Sequence, residues 1–300
     1  MIDVLCVGHA AFDVTMSADY HPAADEKLQA SAMRNCGGGP AANAAVQIAR
    51  LGGASAFCGY LGNDIYGDAH VAEFESDDVD LTYLVRGSAP SSISQILAKP
   101  DGSRSLVNYK VDTPWLAAGA VNVSRSNPRA ILFDGHEPLL SESIIDWAMG
   151  EEIPSVLDAG SMHRGTGALA MKVDYLVASE KFARQFCETD DVDVALKQFS
   201  EQRDNVVITL GGQGLIWARD GEFGALPAFK VNAIDSTGAG DAFHGAFALG
   251  VAQGLAWHEL LTFASAAGAL TCTRLGAREG LPTHLEVEQL LKGNRLKGGG

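Results

Sequence analysis

Six short runs of hydrophobic residues recur along the chain, and longer, more polar segments separate them. Each run is rich in Val, Ile and Leu and is nearly continuous, without regular alternation with polar residues. This pattern is typical of strands that are buried on both faces, as in a parallel sheet. The six runs are IDVLCVG (2–8), SAFCGYLG (55–62), AILFDG (130–135), PSVLDAG (154–160), DYLVAS (174–179) and NVVITLGG (205–212).

The segments between these runs show helical patterns. The clearest is PAANAAVQIARLGG, where Pro40 suits the first turn of a helix and Gly52 suits its end. Its apolar stripe consists of Ala42, Ala45, Val46 and Ala49. Strands that alternate with helices through most of the chain predict a doubly wound α/β fold, in which helices flank a mostly parallel sheet. We expect a single domain over residues 1–300.

Two segments, roughly 11–36 and 86–114, depart from this rhythm because they carry alternating, half-polar patterns. In the second segment, Pro100-Asp101-Gly102 separates two such arms and predicts a hairpin turn. A small antiparallel sheet attached to the large domain accounts for both segments. Such a sheet could be a lid over a cleft, a dimer surface or both.

The composition is that of a globular protein with a large core, because 47% of the 300 residues are hydrophobic and the mean hydropathy is +0.05. No window approaches about 18 uninterrupted apolar residues, which disfavours a transmembrane span. The N-terminus carries Asp3 where a signal peptide would carry positive charge, so we expect a cytoplasmic protein. The net charge of −15 disfavours nucleic acid as a partner.

The cysteines are few and dispersed, and they form no CxxC pair. An odd, scattered set favours reduced thiols over a disulfide framework or a zinc site. The five are Cys6, Cys36, Cys58, Cys187 and Cys272.

Three glycine-containing stretches follow or precede predicted strands, where ligands bind in α/β sheets. In GGGPAANAA (37–45), glycine lets the backbone approach a ligand and Asn43 could meet hydroxyl groups, although a plain turn before a helix fits equally well. In VGHAAFD (7–13), Asp13 could be a cap or a bidentate acceptor for a sugar diol. TLGGQG (209–214) could wrap a nucleotide phosphate or form a plain hairpin. No GxxxxGK[ST] phosphate loop occurs.

The stretch IDSTGAGDAFHGAFALG (234–250) places glycines directly before a carboxylate at a predicted helix start. Consecutive backbone N–H groups at a helix N-terminus bind anions. Asp241 beside a bound phosphate is costly unless it accepts a proton from an attacking hydroxyl. The alternative is that Asp241 only caps the helix.

Together these motifs resemble the two signature regions of the PfkB/ribokinase family of carbohydrate kinases. The first region is GGGPAANAA followed by RLGG and GYLGNDIYGD, and the second is DSTGAGDAFHGAF. The resemblance spans nearly the whole chain, from VGHAAFD to TRLGAREGLP. It implies ATP-dependent phosphoryl transfer to a sugar hydroxyl, with magnesium, on a doubly wound sheet with a β-lid. It also implies a homodimer that forms through the lid.

By position, the resemblance implies that Asp241 is the catalytic base and that the residues before it form an anion hole, namely Gly238, Ala239 and Gly240. The positions that match the family's substrate side are Asp13, Gly38, Gly39, Asn43 and, in the second lid hairpin, Asn108. The positions that match the nucleotide loop are Thr209, Gly211, Gly212 and Gly214. The positions expected to wall the adenine are Ala267, Gly268 and Thr271.

Two metal positions are also implied by the resemblance. Asp235 and Thr237 stand where several relatives hold a monovalent cation such as potassium, with carbonyl groups of the 271–280 turn. Many relatives carry an N-x-x-E element that supports magnesium, but VASEKF here has Ser179 for the Asn and Phe182 for the Glu. Glu180 is adjacent and is expected to act on magnesium through water.

The acceptor is less well defined than the transfer reaction. ASEKFARQF and DAGSMHRG resemble the branch with ketohexokinase-like and sulfofructose-kinase-like members, and we expect a ketohexose or related sugar. A sulfosugar, a sugar phosphate and a nucleoside remain alternatives, as does a silent binding protein of the same fold. An anionic substrate would need basic side chains in the cleft. The candidates are Lys27, Arg34 and Lys110. In FDGHEP, the resemblance places His136 where the sulfosugar enzymes carry an arginine, which favours an uncharged or weakly anionic sugar, although His136 could equally be a polar loop residue.

Overall fold

The computed structural model of the protein describes residues 1–99 and 104–297. The predicted Pro100-Asp101-Gly102 turn lies outside the described residues. Within these residues, no helix is long and apolar enough to cross a membrane.

A nine-stranded sheet forms the centre of the fold, and it contains all six strands that the hydrophobic runs predict. Its strands are β1 (Val4–Val7), β4 (Ser55–Gly62), β5 (Leu84–Gly87), β8 (Ala130–Phe133), β9 (Ser155–Ala159), β10 (Tyr175–Ser179), β11 (Asn205–Thr209), β12 (Leu215–Arg219) and β13 (Glu222–Leu226). The strand order is β13-β12-β11-β10-β9-β8-β1-β4-β5. Neighbours are parallel from β5 to β11, whereas β12 and β13 pair antiparallel at one edge. The predicted mostly parallel sheet is confirmed.

Helices cover both faces of this sheet. They are α1 (Pro40–Arg50), α2 (Ile65–Ser76), α3 (Pro138–Gly150), α4 (Arg164–Leu169), α5 (Glu180–Phe186), α6 (Val192–Ser200), α7 (Ala239–Gln253), α8 (Trp257–Thr271), α9 (Ala277–Gly280) and α10 (His284–Lys297), with a 3-10 turn at Gly211–Gln213. Val4 and Cys6 of β1 enter one hydrophobic core, with α1, α7 and α8. Leu5 and Val7 enter the other, with α3 to α6. Both faces are buried, which explains why the strand sequences are continuously apolar.

Local signals set the ends of the two helices that matter most for the site. α1 starts at Pro40, as predicted, and Gly52 follows its end with a φ of 85°. α7 starts after Gly238, which has a left-handed φ of 78°, and it ends before Gly254 at 70°. Glycine adopts this backbone conformation with little strain, so both ends of α7 are set by the sequence.

A second, four-stranded sheet stands at the carboxyl end of β1. Its strands are β2 (Ala11–Ser17), β3 (Ala32–Gly38), β6 (Ser92–Ala98) and β7 (Arg104–Tyr109), in the order β3-β2-β6-β7. The β2/β3 and β6/β7 pairs are antiparallel, as expected, but the central β2/β6 pair is parallel. We call this four-stranded sheet the lid. It follows directly from β1 and leads directly into α1.

Candidate active site

The strand order of the large sheet reverses at β1, and the candidate site lies at the carboxyl ends of these strands. β1 pairs with β4 on one side and with β8 on the other. Asp134, after β8, accepts hydrogen bonds from the backbone N–H of His9 at 2.8 Å, His136 at 2.8 Å and Ala41 at 3.1 Å. One carboxylate therefore ties three loops together at the position where open α/β sheets bind ligands. The sequence motifs did not reveal this residue.

Asp241 lies in the first turn of α7 and faces α1. Its Oδ2 accepts a hydrogen bond of 2.6 Å from Nδ2 of Asn43. Burial raises the pKa of Asp241, whereas the hydrogen bond from Asn43 and the nearby His244 lower it. The structure thus brings together Asn43 and Asp241, which are 198 residues apart in the sequence.

The turn before Asp241 presents backbone N–H groups. Gly238 is the N-cap, and the Ala239 N–H bonds to Ser236 O at 3.3 Å. Within residues 1–99 and 104–297, the N–H groups of Gly240 and Asp241 meet no acceptor. Unpaired N–H groups at a helix N-terminus, together with the helix dipole, favour an anion at this point.

Asp13 is buried in β2 beside the glycine-rich segment. A Cβ atom on Gly38 would lie 2.2 Å from Oδ2 of Asp13, so this carboxylate packs directly on the Gly38 backbone. The pKa of Asp13 is raised to about 6, mainly by burial; a hydrogen bond from Ser94 opposes this shift and the charge of Asp241 adds to it. The two carboxylates therefore belong to one cleft.

Asn108 lies in the same row of the lid as Asp13. Asp13 pairs with Ser94 across β2 and β6, and Ser94 pairs with Asn108 across β6 and β7. Paired residues on neighbouring strands point to the same face of a sheet. Asn108 is exposed on the Asp13 face of the lid.

The lid also contributes an arginine that the sequence analysis missed. Arg104, the first residue of β7, donates a hydrogen bond to Oγ1 of Thr237. The Arg104 Nη1 atom lies 3.9 Å from Oδ1 of Asp235, and its positive charge lowers the pKa of both Asp13 and Asp241. A cation from the lid thus reaches the turn that precedes α7.

Basic side chains cluster beside the carboxylates. The rings of His136 and His163 stack with centroids 4.4 Å apart, and the His9 and His136 centroids are 5.2 Å apart. Lys110 Nζ lies 3.4 Å from His9 Nδ1. Burial and the charge of Lys110 lower the pKa of His9, and Asp241 is close enough to affect the pKa of His136. This part of the cleft offers one ammonium group and several imidazoles.

The predicted nucleotide loop connects β11 to β12, which pair antiparallel, so the hairpin interpretation is correct for its backbone. Gly214 has a φ of 98°, and a Cβ there would lie 2.1 Å from Leu226 O. Gly211 and Gly212 face open space, since a Cβ on either would meet no atom within 4 Å. Gly214 is therefore required by the fold, whereas Gly211 and Gly212 are accessible to a ligand, next to Thr209 at the end of β11.

The residues expected to wall the adenine lie inside the packing of α8 against α7. Ala267 and Thr271 are fully buried. A Cβ on Gly268 would lie 3.0 Å from Ala239 O. The glycine at 268 lets α8 approach the start of α7 closely, and contact of these three residues with the adenine stays a prediction.

The VASEKF segment starts α5. Ser179 caps the helix, accepting from Phe182 N–H at 3.0 Å and donating to Gly160 O at 2.8 Å, and Phe182 is fully buried. Glu180 pairs with Arg184 at 2.6 Å. In the described part of the chain, no group of three or more His, Cys, Asp or Glu residues could hold a metal ion.

Asp235 lies against the 271–280 turn, and Thr237 bonds to Asp235. Oδ1 of Asp235 accepts from Thr237 N at 2.9 Å and Oγ1 at 2.7 Å, and Oδ2 accepts from Gly276 N at 2.9 Å. The backbone N–H groups of Ile234 and Asp235 bond to Cys272 O at 2.7 and 3.2 Å. Both oxygens of the carboxylate already have donors, which fits a structural role for Asp235 in joining the two loops.

Comparisons with known proteins agree on one family. The model of the pfkB family carbohydrate kinase matches residues 1–284. The ribokinase of Bacillus subtilis (strain 168) is 27% identical, over 97% of this chain and 100% of that protein. Fructokinase-1 of Zea mays is 31% identical, over 88% of this chain and 91% of that protein. The structure of Arabidopsis thaliana ribokinase complexed with ribose and ATP has a TM-score of 0.86 at 24% identity, over 97% of this chain and 99% of that chain.

Proposed function

This chain belongs to the pfkB family of carbohydrate kinases, and from that premise we propose that Asp241 is the general base of its reaction. The protein is an ATP-dependent sugar kinase. One observation supports the assignment of the base: Asp241 stands beside the free N–H groups of the α7 start and shares a cleft with Asp13. A carboxylate in that position can reach a hydroxyl group that attacks a phosphoryl group bound there.

In the proposed step, Asp241 accepts the proton of the sugar hydroxyl as the oxygen–phosphorus bond forms and the bond to the ADP oxygen breaks. The backbone N–H groups of Gly240 and Asp241, at the end of the proposed 238–240 anion hole, stabilise the negative charge on the transferred group. Arg104 adds a positive charge from the lid. Magnesium bound to the phosphates would neutralise charge on the leaving group, and Glu180 could hold one of its waters.

The nucleotide site is proposed to follow the loop after β11. Thr209, Gly211 and Gly212 offer an open backbone there. Arabidopsis ribokinase, which has the same fold, binds ATP. A monovalent cation at Asp235 and Thr237 would add positive charge beside the turn that precedes α7. If potassium acts at that site, replacing potassium with tetramethylammonium should lower kcat.

The proposed acceptor is a ketohexose or a related sugar. Its hydroxyl groups would bond to Asp13, to the backbone of Gly38 and Gly39, and to Asn43 and Asn108. Carboxylate and amide groups of this kind suit vicinal hydroxyls. The curated relatives above are ribokinases and fructokinases, and the ketohexokinase-like branch stays a prediction.

A second candidate substrate is favoured by the cluster of basic side chains. Lys110 and His136 lie in the cleft near Asp241, and they could bind a phosphate, sulfonate or carboxylate on the sugar. A screen of ATP consumption across ketoses, aldoses, sugar phosphates and sugar acids separates the two candidates. The Lys110→Met variant should lose activity on an anionic sugar and keep most of its activity on a neutral one.

A homodimer through the lid is also part of the proposal. The outer strand β7 exposes apolar residues to solvent, with Val107 70% and Leu106 44% exposed. An edge strand with exposed apolar side chains is a surface that a second copy can cover.

The test of the base is replacement of Asp241 by asparagine. We expect kcat to fall about 10²-fold or more, because Asn cannot accept the proton. Sugar binding, measured by calorimetry, should persist. Asp190→Asn is a matched control because its carboxylate is fully exposed. Turnover of Asp241→Asn near the wild-type rate would refute the assignment.

A further inference from the structure

Arg278 lies in α9, at the back of the cleft, and only 3% of its surface is exposed. Its Nε donates a 2.8 Å hydrogen bond to Oδ1 of Asn43. Its Nη2 lies 2.6 Å from Nε2 of His70, and its guanidinium lies over the ring of Phe74 at 5.1 Å. The side chain is therefore held on three sides, and one of its contacts is the amide that bonds Asp241.

The charge of Arg278 is partly balanced by Glu73. Nη1 of Arg278 lies 3.6 Å from Oε2 of Glu73, which also accepts from Gly37 N–H at 2.9 Å. Burial lowers the pKa of Arg278, but a guanidinium stays protonated in proteins. His70 must then be the acceptor of its bond, consistent with a pKa that burial and the Arg278 charge lower. Arg278 is thus a buried group with donors and no acceptor.

A group without acceptors decides which way the Asn43 amide points. Asn43 can turn its oxygen or its NH2 group toward either neighbour, and the two ends are alike in shape. Because Arg278 only donates, the oxygen of the amide faces Arg278 and the NH2 group faces Asp241. We propose that Arg278 is a positioning residue for phosphoryl transfer: it locks the Asn43 amide so that its NH2 group holds and stabilises the ionised carboxylate of Asp241.

This inference rests on the proposed role of Asp241 as the base. Without Arg278, the amide could turn and place its oxygen against the carboxylate, which favours the protonated, inactive form. Loss of the same charge acts on Asp13, whose pKa Arg278 lowers. Both effects move ionisation to higher pH. The other charged or titratable groups around Asp241 are His244 on α7, Asp13 and Arg104 on the lid, Asp134 and His136 after β8, and Asp158 on β9.

The experiment compares pH profiles of kcat/KM for the sugar. In Arg278→Met, the acidic limb should move up by about one pH unit, so that activity falls about tenfold below the limb and largely recovers at high pH. Arg278→Lys keeps a charged donor, so its acidic limb should still move up, but by less than the limb of Arg278→Met. Arg278 is proposed to act on Asp241 through Asn43. When Asn43→Ala is already present, adding Arg278→Met should therefore move the acidic limb little further.

Arg50→Met is the matched control. Arg50 holds the same turn by donating to the backbone oxygens of Arg278 and Leu281, and it pairs with Asp77 at 2.8 Å. The Arg50→Met variant should have a lower melting temperature and an acidic limb at the wild-type pH.

If Arg278 had only a structural role, its replacement would give the same result as Arg50→Met, namely a loss of kcat/KM that is equal at all pH values. That outcome, for Arg278→Met or for Arg278→Lys if only the latter folds, overturns the inference. If Asp241→Asn is inactive and the limb does not move, only this inference fails, whereas an active Asp241→Asn removes the proposed base itself.

Discussion

Replacement of Asp13 by asparagine should stabilise the folded protein above pH 7 and remove most of its affinity for sugar. Asp13 is 7% exposed, and burial raises its pKa from 3.8 to about 6. Since a tenfold change in proton affinity corresponds to about 1.4 kcal/mol, the ionised carboxylate costs the folded state about 3 kcal/mol. Asparagine has nearly the same shape and carries no charge, so it avoids this cost.

The sign of the pH dependence follows from proton binding. Between about pH 4 and pH 6, the folded protein keeps a proton on Asp13 that the unfolded chain has lost. The contribution of this group to stability therefore falls as the pH rises through that window, and the full cost is present above it. The variant should match the wild type near pH 4 and be more stable by as much as about 3 kcal/mol at pH 8.

Urea unfolding of both proteins at several pH values measures this difference. Sugar affinity should fall about tenfold or more, because a hydrogen bond to a charged acceptor contributes about 1.5–3 kcal/mol. Asp64→Asn is a control that should change the free energy of unfolding in the opposite direction. Burial alone would raise the pKa of Asp64, but hydrogen bonds from Ser91 and Gly67 lower it, so its loss should destabilise at neutral pH. A stability difference for Asp13→Asn that is the same at all pH values would refute the reasoning.

Three further changes test the site and the lid. Gly38→Ala places a Cβ 2.2 Å from the Asp13 carboxylate, so it should raise the KM for sugar about tenfold or more. Gly293→Ala is the control, because a Cβ at Gly293 meets no atom within 4 Å, and its kinetics should be unchanged. Arg104→Met should lower kcat about tenfold with little effect on sugar binding by calorimetry, and an unchanged kcat would contradict its role at the phosphoryl group. Val107→Glu should convert a dimer to a monomer in light scattering, and a wild-type protein that is already monomeric contradicts the lid interface.

The lid shows where prediction from local patterns stops. Alternating residues in 11–36 and 86–114 predicted its strands, and the antiparallel neighbours β2/β3 and β6/β7 followed from sequence adjacency. The parallel β2/β6 pair could not be predicted in this way. The chain leaves the lid after β3, builds part of the large sheet and returns, so the relative direction of β2 and β6 depends on where the large sheet ends.

The sequence by itself determined the architecture and the two motifs of the site. Hydrophobic runs buried on both faces specify parallel strands, and the glycines before Asp241 specify the turn that starts α7, because both depend on neighbours within one or two turns of chain. The resemblance to a kinase family implied that Asp13, Asn43 and Asp241 act in one reaction.

The tertiary structure decided how those groups are held. Arg278 meets Asn43 across 235 residues of sequence, and Arg104 meets Thr237 across 133. Neither arginine stands in a pattern that marks it locally. The hydrogen-bond direction of the Asn43 amide and the raised pKa of Asp13 depend on which distant groups surround them once water is excluded, and only the folded chain brings those groups together.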